Sequence, residues 1–301
     1  MDKKEKTDIN IIFAADDAYV QHLGVAIYSL LENFQSAEYR LILHVIEDGI
    51  TADNKKRLSG ICSRRGTEIH FWPVDKRVLA SCPEIGHLKL PTYFRLLIPD
   101  IIGPEIKKVI YLDSDLVVAG DIVELYEQDL DGYIWGAAEE VSKDEVLSAW
   151  AAEGLDRYFN AGVLLIDLEK WRSNGISPRA FSFIAANQAR LKWADQDALN
   201  LVGRNGWRPL DRSLNLQIDY NQKKISGVDP VIIHYVGRLK PWHFLYSNYY
   251  SRYYWQYLRQ TPWRDYRCPD FRYRDLFKKI IKKIPGAIYA RQKLTSWLRN
   301  Y

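Results

Sequence analysis

The stretch Val109-Ile110-Tyr111-Leu112-Asp113-Ser114-Asp115 decides the fold class of this 301-residue chain. Its four apolar residues predict a buried parallel strand, and two carboxylates follow directly. Asp113 and Asp115 are two positions apart, so on extended backbone they face the same side. At the carboxyl end of a parallel strand, two like charges are costly unless a cation lies between them. The stretch therefore predicts a divalent metal site of the kind that holds a diphosphate.

Alternating strands and helices surround this stretch. Apolar runs predict strands at residues 9–15, 39–46, 68–72, 108–112, 135–139, 163–168 and 231–234. Helical patterns occur at residues 19–34, 52–65, 88–98, 178–191 and 195–202, and Pro99 is expected to end the third of these. The alternation predicts an α/β protein with a single Rossmann-like, mostly parallel sheet and helices on both faces.

A change of composition divides the chain. After Pro241 the sequence becomes rich in Tyr, Trp and Arg. We therefore expect a large α/β domain over residues 1–245 and a small helical, basic module over residues 246–301.

The three cysteines, Cys62, Cys82 and Cys268, show no metal or disulfide spacing. This usage is typical of reduced thiols in a cytoplasmic protein. The chain starts without an apolar signal segment, and it has no apolar run of about 20 residues. We therefore expect any membrane contact to be peripheral.

The C-terminal 31 residues, 271–301, carry nine Lys or Arg and one Asp, although the whole chain has a net charge of only +4. In residues 276–284 the lysines share one helical face, and the Phe and Ile residues share the opposite face. This pattern favours a helix lying on an anionic membrane surface. The alternative is a helix packed on the domain with a solvated lysine face. No nucleic-acid partner is expected, because no recognition motif accompanies the charge.

Further polar residues have both a structural and a functional interpretation. Asp16 and Asp17 follow the first strand, where they can cap a helix or accept hydrogen bonds from a nucleoside. The segment Asn160-Ala161-Gly162 is typical of a turn, but its amide can also bind sugar hydroxyls. Asp195 and Gln196 begin a helix, where a carboxylate suits the dipole and an uncharged amide oxygen can face an electron-poor carbon.

His234 ends an apolar strand, a position where a lone histidine is more often a core residue than a ligand. The loop that follows changes this balance, because Gly237 permits close backbone approach and Lys240 can neutralise phosphate. An imidazole beside Asp113 and Asp115 suits Mn²⁺ better than Mg²⁺.

Five blocks in this order resemble glycosyltransferase family eight, in particular its bacterial lipooligosaccharide α-1,4-galactosyltransferases and lipopolysaccharide α-glycosyltransferases. The resemblance covers about residues 9–245. The blocks are Phe13-Ala-Ala-Asp-Asp-Ala-Tyr19, Tyr111-Leu-Asp-Ser-Asp-Leu116, Phe159-Asn-Ala-Gly-Val-Leu-Leu165, Asp195-Gln-Asp-Ala-Leu-Asn200 and His234-Tyr-Val-Gly-Arg-Leu-Lys-Pro-Trp-His243.

The resemblance implies a GT-A fold, a UDP-hexose donor (galactose or glucose), Mn²⁺ with Mg²⁺ as an alternative, and retention of anomeric configuration. It implies Asp113, Asp115 and His234 as metal ligands, and His87 and Glu140 beside the acceptor. Asn160, Asp195 and Gln196 would be catalytic. The donor would be bound by Ala14, Asp16, Arg95, Asp113, Ser114, Asp115, Ala161, Gly237 and Lys240.

Two positions depart from the family pattern. Ala18 replaces a polar residue that helps to hold the ribose, so one donor contact is missing. Glu140 stands where the galactosyltransferase has Asp, so its longer side chain can alter acceptor choice.

The implied enzyme is a retaining hexosyltransferase that extends lipopolysaccharide or lipooligosaccharide on the cytoplasmic face of a bacterial inner membrane. Same-face displacement is expected, since Gln196 is a poor nucleophile and Asp195 is the nearby carboxylate candidate for a covalent route. Two alternatives remain: a glycogenin-like self-glucosylating primer, which the many tyrosines allow, and a catalytically silent sugar-nucleotide sensor or scaffold.

Overall fold

The computed structural model describes residues 6–204, 206–220, 222–244 and 246–268. These residues form ten strands and nine α-helices. The strands are β1 (Thr7–Asp16), β2 (Tyr39–Asp48), β3 (Glu68–Pro73), β4 (Lys108–Leu112), β5 (Leu116–Val118), β6 (Trp135–Ala137), β7 (Val163–Asp167), β8 (Trp207–Pro209), β9 (Leu216–Ile218) and β10 (Ile232–Tyr235). The helices are α1 (Val20–Asn33), α2 (Ala52–Ser63), α3 (Ile98–Ile101), α4 (Val123–Tyr126), α5 (Asp144–Ala149), α6 (Leu168–Ser173), α7 (Ile176–Asn187), α8 (Asp195–Val202) and α9 (Ser251–Leu258).

The main sheet has seven strands in the order β3-β2-β1-β4-β7-β6-β8. Strands β3, β2, β1 and β4 are parallel to one another, β7 is antiparallel to both β4 and β6, and β8 is parallel to β6. The predicted α/β class and large, mostly parallel sheet are confirmed. Strands β1 and β4 are buried almost end to end, as expected for central strands of a sheet that is covered on both faces.

The order in which successive strands are added to the sheet reverses between β1 and β4. Helix α1 leads from β1 to β2 on one side, whereas β4 pairs with β1 on the other side. A crevice opens where strand order reverses in this way, outside the carboxyl ends of the two strands. Phe13 is in register with Leu112, so the Asp113 and Asp16 ends of these strands lie side by side.

A second, three-stranded sheet in the order β5-β10-β9 was not predicted, and it carries His234. The sequence pattern predicts a single sheet, to which the strand at residues 231–234 would belong. In the structure β10 instead pairs with β5, which directly follows Asp115. This small sheet brings His234 back beside the two aspartates.

The segment predicted as a helix at residues 88–98 differs in detail. It is a 3-10 helix from Leu90 to Leu97, and α3 continues it through Pro99. Pro99 does not end the helical segment because it lies in the first turn of α3, where a missing N–H leaves no hydrogen bond unmade.

The described part of the predicted C-terminal region packs on the main domain. Tyr250, Tyr254, Leu258 and Trp263 are buried in the same hydrophobic cluster as Leu23 of α1. The basic segment predicted to bind membranes, residues 271–301, lies outside the described residues. Among the described residues, no helix is both long and apolar enough to span a bilayer.

Candidate active site

A cavity of about 690 Å³ opens at the carboxyl ends of β1 and β4. Every residue to which the family resemblance assigns a metal, donor, acceptor or catalytic role lines it, except Ala161. Ala161 is buried behind the wall, where its N–H donates to Gln196 Oε1 (2.9 Å) and its carbonyl accepts from Arg95. The lining residues among those predicted are Ala14, Asp16, His87, Arg95, Asp113, Ser114, Asp115, Glu140, Asn160, Asp195, Gln196, His234, Gly237 and Lys240.

Asp113, Asp115 and His234 converge at the floor of this cavity. One ligand atom from each of the three lies within 4.8 Å of the others. His234 Nε2 is 3.2 Å from Asp115 Oδ1 and 3.7 Å from Asp113 Oδ2. The two carboxylates come from the end of β4, and the imidazole comes from β10.

Two observations test whether this cluster fits a metal ion. Asp115 Oδ1 is buried and accepts no hydrogen bond, which is costly for a carboxylate oxygen without a cation. A Cβ at position 162 would lie 2.2 Å from the His234 ring and 2.6 Å from Asp113 Oδ2, so only glycine leaves room for the cluster. Two carboxylates and an imidazole form a donor set that suits Mn²⁺. The residues present therefore fit a divalent metal.

Lys240 neutralises the other oxygen of Asp115. Its Nζ lies 2.7 Å from Asp115 Oδ2 and also donates to the carbonyl of Tyr235. Burial alone would raise the pKa of Asp115, but the charge of Lys240 opposes this shift, and the pKa lies well below its usual range. Asp115 is therefore an anion whenever the protein is folded at neutral pH.

Arg95 joins the metal cluster to the start of α8. The buried guanidinium donates to Asp113 Oδ1 (3.0 Å) and lies 2.8 Å from Asp195 Oδ2. It also packs on the ring of Tyr111, whose hydroxyl donates to Asp113 Oδ1 (2.8 Å). Burial disfavours a charged arginine, but the two aspartates outweigh it and raise the pKa of Arg95 above its usual value.

Asp195 lies fully buried next to Arg95 without a hydrogen bond. The Nε–H of Arg95 donates instead to the carbonyl of Thr92, so the close Arg95–Asp195 approach is a charge contact only. Burial raises the pKa of Asp195 to about 7, although Arg95 opposes this shift. A carboxyl group with this pKa is partly protonated near neutrality and can therefore hold or release a proton there.

A wall of amides and one carboxylate faces the metal cluster. Glu140 Oε2 accepts from Asn160 Nδ2 (2.9 Å) and lies 3.4 Å from Gln196 Nε2. Glu140 Oε1 accepts from the N–H of Ser142 (3.1 Å). This side chain is thus held in place by several donors.

The aspartates after β1 separate into two roles. Asp16 lines the cavity while it accepts from the N–H of Tyr19 at the start of α1 (2.9 Å). Asp17 turns away, and its Oδ1 accepts from Thr51 N–H (2.9 Å) and Asn54 Nδ2 (2.8 Å) at the start of α2. Ser114 donates to the carbonyl of Ala14 (2.7 Å), which ties the aspartate loop to β1.

The loop after β10 and the rim complete the cavity. Gly237 has a φ of 77° with open space beside it, so a backbone requirement rather than close packing explains the glycine. On the opposite rim, burial and the nearby charges of Lys240 and Arg238 lower the pKa of His87. His87 is therefore neutral in the folded protein at neutral pH.

Sequence reasoning missed three residues that matter for this site. Tyr19 lines the cavity directly after the aspartate pair. Asn215 donates its Nδ2 to Asn160 Oδ1 (3.0 Å) and has its Oδ1 at 3.0 Å from His234 Nδ1. Gln217 supports the loop that contains Glu140, because it donates to the carbonyl of Glu139 (2.8 Å) and accepts from the N–H of Val141 (3.1 Å). The alternation Leu214-Asn215-Leu216-Gln217-Ile218 was the available signal, since two amides on one face of an apolar strand need partners.

Comparison with known proteins agrees with this geometry. The profile of "Glycosyl transferase family 8" matches residues 10–245. The chain therefore belongs to glycosyltransferase family 8, and it is a glycosyltransferase.

Curated relatives span Gram-positive and Gram-negative bacteria. General stress protein A of Bacillus subtilis is 33% identical over 85% of this chain and 94% of its own length. The lipopolysaccharide 1,3-galactosyltransferase of Salmonella typhimurium is 31% identical over 84% of this chain and 79% of its own length.

A solved structure shares the fold. The crystal structure of galactosyltransferase LgtC in complex with donor and acceptor sugar analogues has a TM-score of 0.74 and 27% identity. The match covers 84% of this chain and 96% of the LgtC chain. The architecture of this chain is therefore the GT-A fold, as the sequence resemblance implied.

Proposed function

We propose that this protein transfers a hexose from a UDP-sugar to a saccharide acceptor with retention of configuration, using Mn²⁺. The convergence of Asp113, Asp115 and His234, with one ligand atom of each within 4.8 Å, is the observation that carries this proposal. A bound Mn²⁺ would supply charge stabilisation for a diphosphate leaving group. Mg²⁺ is the alternative metal.

The residues around the cluster have distinct proposed roles toward the donor. Lys240 holds the diphosphate by charge, and the positive φ of Gly237 shapes the loop that brings Lys240 there. Asp16 accepts from the base at the end of β1. Arg95 fixes Asp113 and the sugar side of the site, while Ala14, Ser114 and Ala161 supply the backbone that holds these groups in register.

Same-face displacement fits the environment of Asp195. Its side chain is 1% exposed and contacts Arg95, so it offers little surface for attack on an anomeric carbon. Gln196 keeps its Oε1 on Ala161 N–H and its Nε2 toward Glu140, which positions an uncharged amide beside the sugar. We propose that a phosphate oxygen of the departing UDP takes the proton of the acceptor hydroxyl.

The acceptor is proposed to bind at the Glu140 and His87 side of the cavity. The Salmonella typhimurium relative is named as a lipopolysaccharide 1,3-galactosyltransferase, which supports a lipopolysaccharide or lipooligosaccharide acceptor here. The basic segment at residues 271–301 supports attachment to an anionic membrane, on the cytoplasmic face where sugar nucleotides are found. This segment would place the cavity near a lipid-linked acceptor.

The first experiment measures UDP release by the full chain from UDP-galactose and from UDP-glucose, each with Mn²⁺ and with EDTA. We expect slow metal-dependent release from one of the two donors even without acceptor. NMR analysis of a glycoside product would then assign its anomeric configuration.

Other outcomes separate the alternatives. UDP binding without release from either donor would contradict the transferase proposal in favour of a sensor. Hexoses found by mass spectrometry on the purified protein would indicate self-glucosylation. An inverted product, or a sugar trapped on Asp195, would overturn the same-face route.

A further inference from the structure

A chain of hydrogen bonds runs from the metal cluster to the Glu140 wall through two buried asparagines. His234 Nδ1 is 3.0 Å from Asn215 Oδ1, and Asn215 Nδ2 is 3.0 Å from Asn160 Oδ1. Asn160 Nδ2 in turn donates to Glu140 Oε2 (2.9 Å). Asn215 is 1% exposed and His234 is 3% exposed, so solvent does not compete for these bonds.

The direction of every bond in this chain follows from one backbone group. The N–H of Gly162 lies 3.0 Å from the Asn160 side chain, and an N–H can only donate. The Asn160 atom that it faces is therefore the oxygen, and the Asn215 atom facing the same oxygen must be the NH₂ group. This leaves the oxygen of Asn215 facing His234.

The tautomer of His234 is then determined. Because Asn215 presents an acceptor, Nδ1 of His234 must carry the hydrogen, and a neutral imidazole has its lone pair on Nε2. Nε2 is the atom that points toward Asp113 and Asp115. With no hydrogen on Nε2, Asp115 Oδ1 stays without a donor, in agreement with its lack of any hydrogen bond.

We propose that Asn215 is a positioning residue that locks His234 in the Nδ1–H tautomer and so prepares Nε2 as a metal ligand. This inference rests on the proposed metal-dependent function. Partners of this type that orient a ligating histidine typically change metal affinity by about 10- to 100-fold when removed.

The test uses the full chain and two variants. Asn215→Leu removes both bonds while keeping the branched shape of the side chain, whereas Asn215→Asp keeps an acceptor for Nδ1–H but cannot donate to Asn160. Two-dimensional ¹H–¹⁵N NMR without metal reads the tautomer of His234, whose signals are assigned by their loss in His234→Gln. Electron paramagnetic resonance titration measures Mn²⁺ affinity.

We expect the Nδ1–H form in the wild type and in Asn215→Asp. In Asn215→Leu we expect a mixture of tautomers and Mn²⁺ binding weakened by about 10- to 100-fold. A matched control is Asn10→Leu, because Asn10 Oδ1 lies 3.0 Å from Nε2 of buried His44 on β1 and β2. It removes the same kind of asparagine–histidine pair away from the metal cluster, so stability should fall while Mn²⁺ affinity stays unchanged.

Two results would overturn the assignment: an Nε2–H tautomer in the wild type, or a folded Asn215→Leu protein that binds Mn²⁺ like the wild type. If Asn215→Leu does not fold, the wild-type and Asn215→Asp spectra still decide the tautomer. Absence of Mn²⁺ binding by the wild type would instead contradict the proposed function, and the metal-free spectrum would still test the role of Asn215.

Discussion

Asp113 and Asp115 lie two residues apart but have different partners. Asp113 accepts from Tyr111 and Arg95, whereas Asp115 has Lys240 on one oxygen and no donor on the other. The burial of an unpartnered oxygen makes Asp115 the side chain that depends more on a cation.

Replacing either aspartate by Asn should abolish metal-dependent UDP release. We expect a loss of about a hundredfold or more for Asp113→Asn and for Asp115→Asn, since a bound metal supplies several kcal/mol of charge stabilisation. Initial rates with and without Mn²⁺ measure this effect.

Asp167→Asn is the matched control. Asp167 ends β7 beside Lys108 at the start of β4, so it lies at the end of the strands opposite the metal cluster, where it caps α6. Its replacement should lower stability slightly and leave the metal response intact. Near-normal rates in either of the two site variants would refute the metal assignment.

Asp195 predicts a specific pH dependence of stability. Its pKa is about 7 in the folded chain, against the usual value of 3.8 for an exposed aspartate carboxyl. Between these pH values the unfolded chain has released a proton that the folded chain still holds, so the contribution of Asp195 to the free energy of unfolding falls as pH rises and levels off above about pH 7. Asp195→Asn lacks this dependence.

Urea unfolding in EDTA measures this effect at two pH values. The stability of the wild type relative to Asp195→Asn should fall by roughly 2 kcal/mol between about pH 5 and about pH 8. A difference that stays constant would show that Asp195 ionises normally beside Arg95.

Among the elements, α1 connects the site to the C-terminal segment. Its residue Gly24 packs against Trp263, and a Cβ there would lie 2.4 Å from the indole ring. Close approach to this ring, rather than backbone conformation, explains a glycine in the middle of a helix.

Gly24→Ala should therefore destabilise the protein by about 1–3 kcal/mol, because the buried ring must move. Gly60→Ala in α2 is the matched control: no atom lies within 4 Å of the added Cβ, so alanine should stabilise the helix by about 0.5–1 kcal/mol. Thermal unfolding of both variants measures these stability changes, which should have opposite signs. A stabilised Gly24→Ala protein would contradict the packing of Trp263 on Gly24.

How well an element could be predicted depends on its length and its pattern. Long apolar runs predicted β1, β2 and β4 at residues 9–15, 39–46 and 108–112. The three-residue strands β5 and β9 are too short to show a period, and their pairing with β10 depends on contacts between distant segments. This is why the second sheet was missed.

The sequence motifs predicted the charged residues of the candidate site, but not the uncharged residues that hold them in place by hydrogen bonds. Charged residues identified Asp113 and Asp115 after β4 and Lys240 in the loop after β10, because unpaired charges near a buried strand end are costly. Asn215 carries no charge, and its importance depends on the orientation of Asn160, which the sequence does not contain.

For the whole molecule, we expect two truncations of the C-terminal region to have different effects. A chain that ends at residue 245 should fail to fold stably, because Tyr250, Tyr254, Leu258 and Trp263 are buried in the cluster that contains α1. A chain that ends at residue 268 should keep metal-dependent UDP release and lose binding to anionic vesicles. Thermal unfolding and vesicle sedimentation measure the two effects.

The vesicle result bears directly on the basic segment. Neutral vesicles are the control for the full chain, since the proposed attraction is electrostatic and should weaken with salt. If the chain ending at residue 268 still sediments with anionic vesicles, the membrane role of residues 271–301 is wrong.

The second sheet also sets an order on biosynthesis. Strand β5 emerges from the ribosome directly after the two aspartates, but its neighbour β10, with His234, is made much later. Until that strand has been translated, Asp113 and Asp115 have no imidazole partner. The hydrophobic core around α1 is completed only later, when Trp263 has been translated. A nascent or prematurely terminated chain therefore cannot assemble the proposed metal site, and the proposed sugar transfer requires a chain whose synthesis has passed β10.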